Sequence, residues 1–265
     1  MNKVLSIFIL ILLSVSPIFG QRFAKGDHVF VWTDGVLMYE KPDTNSNLLL
    51  TIEMGDSMKI REVLVDKMMA INFDKKFDVV GNWIKVVAQT EENDVEGWVF
   101  DGFLSKFPTP FIVEGEDTVG EDAIDAIYGI ENYLNLKVGK KGKRSEIQIW
   151  DKWNFESIRT PKKGEKYESD AIYSYKQNYE KGIEYASETD VNNTIARLKL
   201  PNWTLWEAYF LLKVYVYDPK TQRFYFDFEE NTFQMDSKGG SPSCYHLFGR
   251  MPNSNIIRLE TGCRQ

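Results

Sequence analysis

The chain has 265 residues, with 39 acidic against 32 basic side chains and a formal net charge of −7. Nucleic acids and anionic membrane surfaces demand a basic face, so this balance excludes nucleic acid as a partner and gives no general attraction to acidic polymers. At roughly 100 to 200 residues per domain, the length suits one large domain or two small ones.

The first twenty residues read as a secretion signal. Lys3 supplies the positive start, Leu5 to Val15 is apolar, and Pro17 precedes Gly20, a small residue suited to cleavage. Cleavage is expected near Gly20–Gln21, which makes the mature protein periplasmic or extracellular. The apolar run falls short of the roughly 20 residues of a spanning helix, so no membrane span is expected after cleavage. An uncleaved anchor is the alternative. No cysteine follows the run, so no lipid anchor is expected.

Residues 21–107 carry short β-rich runs with regular turn punctuation. His28 to Trp32, Val36 to Tyr39, Leu48 to Ile52, Met58 to Val65, Trp83 to Ala88 and Trp98 to Phe100 read as strands. Asp34-Gly35, Lys41-Pro42-Asp43, Gly55-Asp56 and Gly81-Asn82 separate them. Asp66 to Val80 is longer than a tight hairpin needs. It contains Met68, Met69, Ile71 and Phe73, which suits two strands extended beyond a small barrel.

The ordered set Val36-Leu37-Met38-Tyr39-Glu40-Lys41-Pro42, Ser46, Gly55-Asp56, Trp83-Ile84-Lys85-Val86 and Gly97-Trp98-Val99 resembles a bacterial SH3-like domain over about a third of the chain. The resemblance implies a small β-barrel that binds or targets rather than catalyses. Tyr39-Glu40 stands where members of that family often carry Val-Arg. Of the barrel aromatics, Tyr39 and Trp98 are the candidate ligand contacts, with core or interdomain packing as their alternative role, and Trp32, Trp83, Phe100 and Phe103 read as core.

Two prolines within Phe107-Pro108-Thr109-Pro110 cannot continue a sheet ladder, so 108–117 reads as a linker. Residues 118–265 then read as an α+β domain. Thr118 and Glu121 form a capping box ahead of Ile124, Ile127, Tyr128 and Leu134 at helical spacing. Lys137 to Arg144 reads as a solvated basic loop. Glu146 to Trp150 and Thr194 to Leu200 alternate as strands do, and Tyr173 to Tyr185 suits two strands turning at Gly182. Thr204 and Glu207 form a second capping box. The helix behind it is apolar on both faces, through Leu205, Ala208, Tyr209 and Leu212 and through Trp206 and Phe210, so it is expected to be buried. Val214 to Tyr217 and Phe224 to Phe228 read as a hairpin around Asp218-Pro219-Lys220-Thr221. The Leu200-Pro201, Thr204 and Glu207-Ala208 segment is similar in plan to domains of unknown function that follow SH3-like barrels in secreted proteins of the Bacteroidetes type. That similarity implies no activity.

The chemistry-bearing residues are few. Cys244 and Cys263 are the only cysteines, and in an exported chain they are expected to pair, with two free thiols as the alternative. Cys244-Tyr245-His246 holds a thiol and a base, but outside the strand-then-helix setting of a cysteine peptidase. His28 and His246 alone cannot furnish a catalytic zinc site, so no metal and no cofactor are expected. Glu207 beside Trp203 and Trp206 is the one carboxylate that suggests a glycosidase, although the capping box already gives it a role. The fold expected is mainly β plus α+β, an N-terminal SH3-like barrel followed by an α+β domain. The function expected is non-enzymatic recognition of a peptide, a peptidoglycan fragment or an envelope protein. The alternatives are an envelope hydrolase with an unrecognised carboxylate site, tested by Glu207→Gln, and a scaffold of the cell envelope.

Overall fold

Alternation of apolar and polar residues drives most of the chain into strands, and the computed structural model is mainly β. It describes residues 22–73, 77–91, 93–110, 123–146, 148–149, 158–159, 173–189, 193–215, 222–227, 231–237 and 243–264. The expected signal peptide, the capping box at Thr118 and the turn at Asp218–Thr221 lie outside the described residues.

The first sheet holds β1 (His28–Val31), β2 (Val36–Tyr39), β3 (Leu48–Ile52), β4 (Ser57–Phe73), β5 (Phe77–Gln89), β6 (Asp94–Phe100) and β7 (Leu104–Ser105). All pairings are antiparallel, in the order β3-β2-β6-β5-β4-β1-β7. Its strands enclose Val29, Val31, Met38, Met58, Ile60, Ile84, Val86 and Val99. The Gly97-Trp98-Val99 motif has a packing cause. A Cβ at Gly97 would stand 2.4 Å from Met38 Cγ and 2.9 Å from Leu49 Cδ1, so only glycine lets β6 close on β2.

The long segment from Asp66 to Val80 extends β4 and β5 into a hairpin, paired out to Phe73↔Phe77, with bulges at Ile60/Glu62 and Leu64/Met68. Side chains alternate faces along a strand, and β5 serves two cores with that one period. Its even positions Ile84, Val86 and Ala88 fill the first sheet's interior. Its odd positions Phe77 and Val79 enter the core of the second half.

The second sheet runs β14-β15-β16-β17-β13-β12-β11-β8, again antiparallel. Its strands are β8 (Lys140–Glu146), β11 (Tyr173–Tyr179), β12 (Glu184–Thr189), β13 (Asn193–Pro201), β14 (Gln222–Asp227), β15 (Thr232–Ser237), β16 (Ser243–Arg250) and β17 (Ile256–Arg264). A separate two-stranded pair joins β9 (Gln148–Ile149) to β10 (Ile158–Arg159). Helix α1 (Ala123–Tyr133), ending in a π-turn over Leu134–Val138, packs on β13 and β17. Helix α2 (Leu205–Tyr215) packs on β16 and β17. A cross-strand row of Tyr185, Leu198, Leu259, Phe248 and Phe233 floors this core.

The expectation that α2 is buried on both apolar faces is met, with Lys213 left exposed. The second sheet lies below it, and above it Phe73 reaches Trp206 at 5.0 Å and Tyr209 at 4.9 Å between ring centroids. Two expectations are corrected. Lys137 to Arg144 is not a loop: Lys137 lies within the π-turn, and Lys140 to Arg144 belong to β8, which pairs with β11 along the sheet edge. Lysines on an edge strand oppose further pairing, which accounts for so basic a strand. Val214 and Tyr215 form no hairpin with Phe224. They end α2, because core packing of Val214 and Tyr215 continues the helical spacing from Phe210, and β14 pairs with β15 instead.

The expected linker meets the same core. The Phe107 ring packs tilted against Trp203 with centroids 4.9 Å apart, its carbonyl accepts from Trp32 Nε1 at 2.9 Å, Thr109 Oγ1 donates to Val31 O at 2.8 Å and Tyr133 OH donates to Pro108 O at 2.8 Å. Residues 107–110 thus form a seam between the sheets, and 111–117 lie outside the described residues.

The hairpin clamp yields a paired test. Phe77→Ala is expected to lower unfolding free energy by about 3–5 kcal/mol, and Met68→Ala, on an exposed part of the same hairpin, by under about 0.5 kcal/mol. Urea denaturation of the full chain checks it. Similar small losses at both positions would mean that the hairpin does not clamp the second half.

Candidate functional site

Tyr39 and Trp98 stand directly opposite each other where β2 meets β6. Register extends the row in both directions: Leu48 of β3 faces Tyr39, Lys85 of β5 faces Trp98, and Glu62 of β4 faces Lys85. This row crosses five strands on the face turned away from the first sheet's core. Tyr39 and Trp98 are half-buried, while Leu48 is 54 % exposed. The buried Trp83 meets the Tyr39 ring edge-on at 5.8 Å and fixes its direction. Lys85 Nζ lies 2.5 Å from Glu96 Oε1. That hydrogen bond and charge hold the Glu96 carboxyl below its usual range. The arrangement offers flat aromatic contact beside a paired cation and anion.

The two candidate contacts named from sequence are therefore neighbours on one surface. Leu48, Lys85 and Glu96 join them and were not singled out, because strand register brings them there and sequence does not carry register. The alternation of Trp83 and Lys85 with buried Ile84 and Val86 was the available signal.

Other chemistry-bearing residues take structural places. Glu207 Oε2 accepts the Thr204 backbone N–H at 2.7 Å and Thr204 Oγ1 at 3.0 Å, while the Glu207 N–H donates to Thr204 Oγ1 at 3.1 Å. That is the capping box read from the sequence. The same oxygen pairs with Arg22 Nη2 at 2.8 Å. Trp203 and Trp206, the neighbours of Glu207 in the glycosidase alternative, are buried, and Trp206 Nε1 donates to Trp32 O at 2.8 Å. His246 is buried with Nδ1 2.6 Å from Thr261 Oγ1, and burial pushes its ring down to about 3, so it is neutral near pH 7. Tyr245 points to the other face, where its hydroxyl donates to Glu260 Oε1 at 2.8 Å, and Arg197 Nε donates to Glu260 Oε2 at 2.8 Å. Burial raises the Glu260 carboxyl against the lowering pull of Arg197. Tyr175 and Tyr179 of β11 turn toward α1: Tyr175 OH donates to Glu131 of α1, which Arg144 also pairs, and Tyr179 OH donates to Asn135 at 2.9 Å. Among the described residues, no group of three His, Cys, Asp or Glu side chains is placed to hold a metal.

One buried acid lies where the halves meet. Asp101 is 3 % exposed, and its Oδ1 accepts the Asn82 N–H at 2.7 Å. A Cβ at Gly81 would come within 2.4 Å of that oxygen, so glycine permits the approach. Arg22 binds the Asp101 and Leu104 carbonyls and bridges to Glu207. Burial lifts the Asp101 carboxyl to about 6, while Arg22 and the Asn82 amide pull it down.

A raised carboxyl makes stability fall with rising pH. Between its ordinary 3.8 and about 6, the folded chain keeps a proton that the unfolded chain has lost. The contribution declines through that window and is level above it, a difference of about 3 kcal/mol at most. Asp101→Asn is expected to exceed the native protein by about 1–3 kcal/mol near pH 7.5 and to show no advantage near pH 3.5. Urea denaturation at both pH values checks this, and the same difference at both would count against it.

A comparison with protein-family models, with curated proteins and with solved structures finds no match to this chain.

Proposed function

We propose that the protein is an exported, non-enzymatic binding protein. In this reading residues 21–107 are an SH3-like barrel whose Tyr39–Trp98 face recognises a peptide, a peptidoglycan fragment or an envelope protein. The observation that carries it is the register of Tyr39 opposite Trp98, both half-buried on the outward face, with Trp83 against the Tyr39 ring. A flat aromatic surface with a neighbouring ion pair suits ligands that present backbone amides and short side chains. Affinity for short ligands is modest, since a small contact must offset the lost freedom of both partners. The second half supplies a further surface, and its α2 shares one core with Trp32, Phe77 and Phe100 of the first half.

Pull-down of the mature protein with purified peptidoglycan sacculi tests the reading. Retention is expected for the native chain and a loss of about tenfold in affinity for Trp98→Ala or Tyr39→Ala, with circular dichroism unchanged. Retention undiminished in both variants would remove this face from recognition.

Cys244 and Cys263 sit opposite each other between β16 and β17. Directly opposed residues of an antiparallel pair lie at the Cα separation that a disulfide spans. In an exported protein the two would be bonded. Cys244→Ser is expected to lower stability by about 3 kcal/mol, and reductant should bring the native protein to the same level. Identical urea midpoints for both proteins under oxidising conditions would remove the bond from this reading.

A further inference from the structure

Four strands end the two sheets: β3 and β7 in the first, β14 and β8 in the second. An edge presents unpaired N–H and C=O groups, and folded proteins blunt it with short strands or charges. β7 has two residues. β8 reads Lys-Lys-Gly-Lys-Arg-Ser-Glu. β14 carries Arg223 and Asp227. β3 reads Leu-Leu-Leu-Thr-Ile, with no charge, no proline and no further strand on its outer side among the described residues.

We propose that β3 is a docking edge that takes an extended peptide as an added strand, the peptide having an uncharged core of about five residues with basic residues at its ends. The proposal deepens the binding reading above and rests on its outward face. Main-chain pairing to β3 requires an extended partner. Leu48, and Leu49 at 42 % exposed, stand beside exposed Leu37 and Met54 and favour apolar or β-branched side chains along it. The row from Leu48 through Tyr39 to Trp98 begins at this edge, so one face of the added strand meets the aromatics. The strand's two ends set the charge. Glu53 and Asp56 are exposed at one end, and Glu40 and Asp43 stand against the single Lys41 at the other. A second copy of the chain fits less well. It would bring the same acids and a charge of −7 to meet themselves, and pairing two five-residue strands falls short of the roughly 1,000 Å² that a stable interface buries.

The test is hydrogen exchange of amides 48–52 in the mature full-length protein, with the end-blocked probe Lys-Val-Thr-Val-Thr-Val-Lys. Its controls replace both lysines by aspartate or the central valine by proline. The lysine peptide is expected to slow exchange at 48–52 by about threefold or more, the aspartate peptide to do so less, and the proline peptide not at all. Leu49→Lys should abolish the protection, and Thr51→Lys serves as second variant if Leu49→Lys fails to fold. No protection by any peptide, or equal protection by the proline peptide, overturns the proposal. Protection that grows with protein concentration alone, together with a dimer mass in sedimentation, overturns it in favour of a second copy. The two readings separate cleanly. Sacculus binding lost in Trp98→Ala, with no peptide protection of β3, leaves the face standing and removes the edge. Peptide protection unaltered by Trp98→Ala, together with undiminished sacculus retention in the Trp98→Ala and Tyr39→Ala variants, keeps the edge and removes the face.

Discussion

The indole of Trp206 lies between the two sheets, and the rest of the architecture depends on its surroundings. Its N–H donates to the carbonyl of Trp32, and its ring meets Phe73, Phe103, Tyr209 and Phe210. A buried N–H without a partner costs on the order of 1–3 kcal/mol. Trp32 can supply that partner only while β1 and α2 hold their relative positions. Trp32 in turn donates to Phe107 O, which keeps the chain's passage from one sheet to the other inside the core. Apolar burial supplies the attraction here, and these directed bonds fix how the layers sit.

That seam accounts for the unusual length of β4 and β5. A small curled sheet saturates its own interior with Ile84, Val86 and their neighbours. Strands continued past it carry a second set of side chains on the opposite face, and the chain spends that set, Phe77 and Val79, on covering α2. The bulges near Glu62 and Met68 take up the change of direction. With α2 enclosed from both sides, the outward face of the first sheet, where the proposed recognition would take place, is backed by a packed interior.

Local signals were legible in the sequence. The Thr204–Glu207 cap is settled within four residues, the strands of the first sheet follow from alternation and turn residues, and the two apolar faces of α2 announced its burial. Tyr39 and Trp98 were visible as aromatics on strand faces. Their mutual opposition was not, because a one-residue slip in register reverses every face. The same limit hid Lys85 and Leu48 from the candidate surface. Lys137 to Arg144 read as a loop because lysines have little strand preference of their own, and pairing with β11 decides their conformation. Pro108 and Pro110 truthfully marked the end of a sheet ladder. Whether the chain leaves the core there depends on Trp203 and Tyr133, far away in sequence.

The bond from Trp206 to Trp32 spans 174 positions along the chain. During synthesis, the first sheet emerges well before α2 exists to cover Trp32, Phe77, Phe100 and Phe107. Contacts of such separation form late and slowly, since a long loop must close before they contribute. The nascent chain therefore passes through an interval with a greasy, unfinished flank, when aggregation competes with completion. If the chain is exported as proposed, a route that delivers it unfolded and releases it whole would let both halves meet at once, so that folding would begin only where the finished protein is to work.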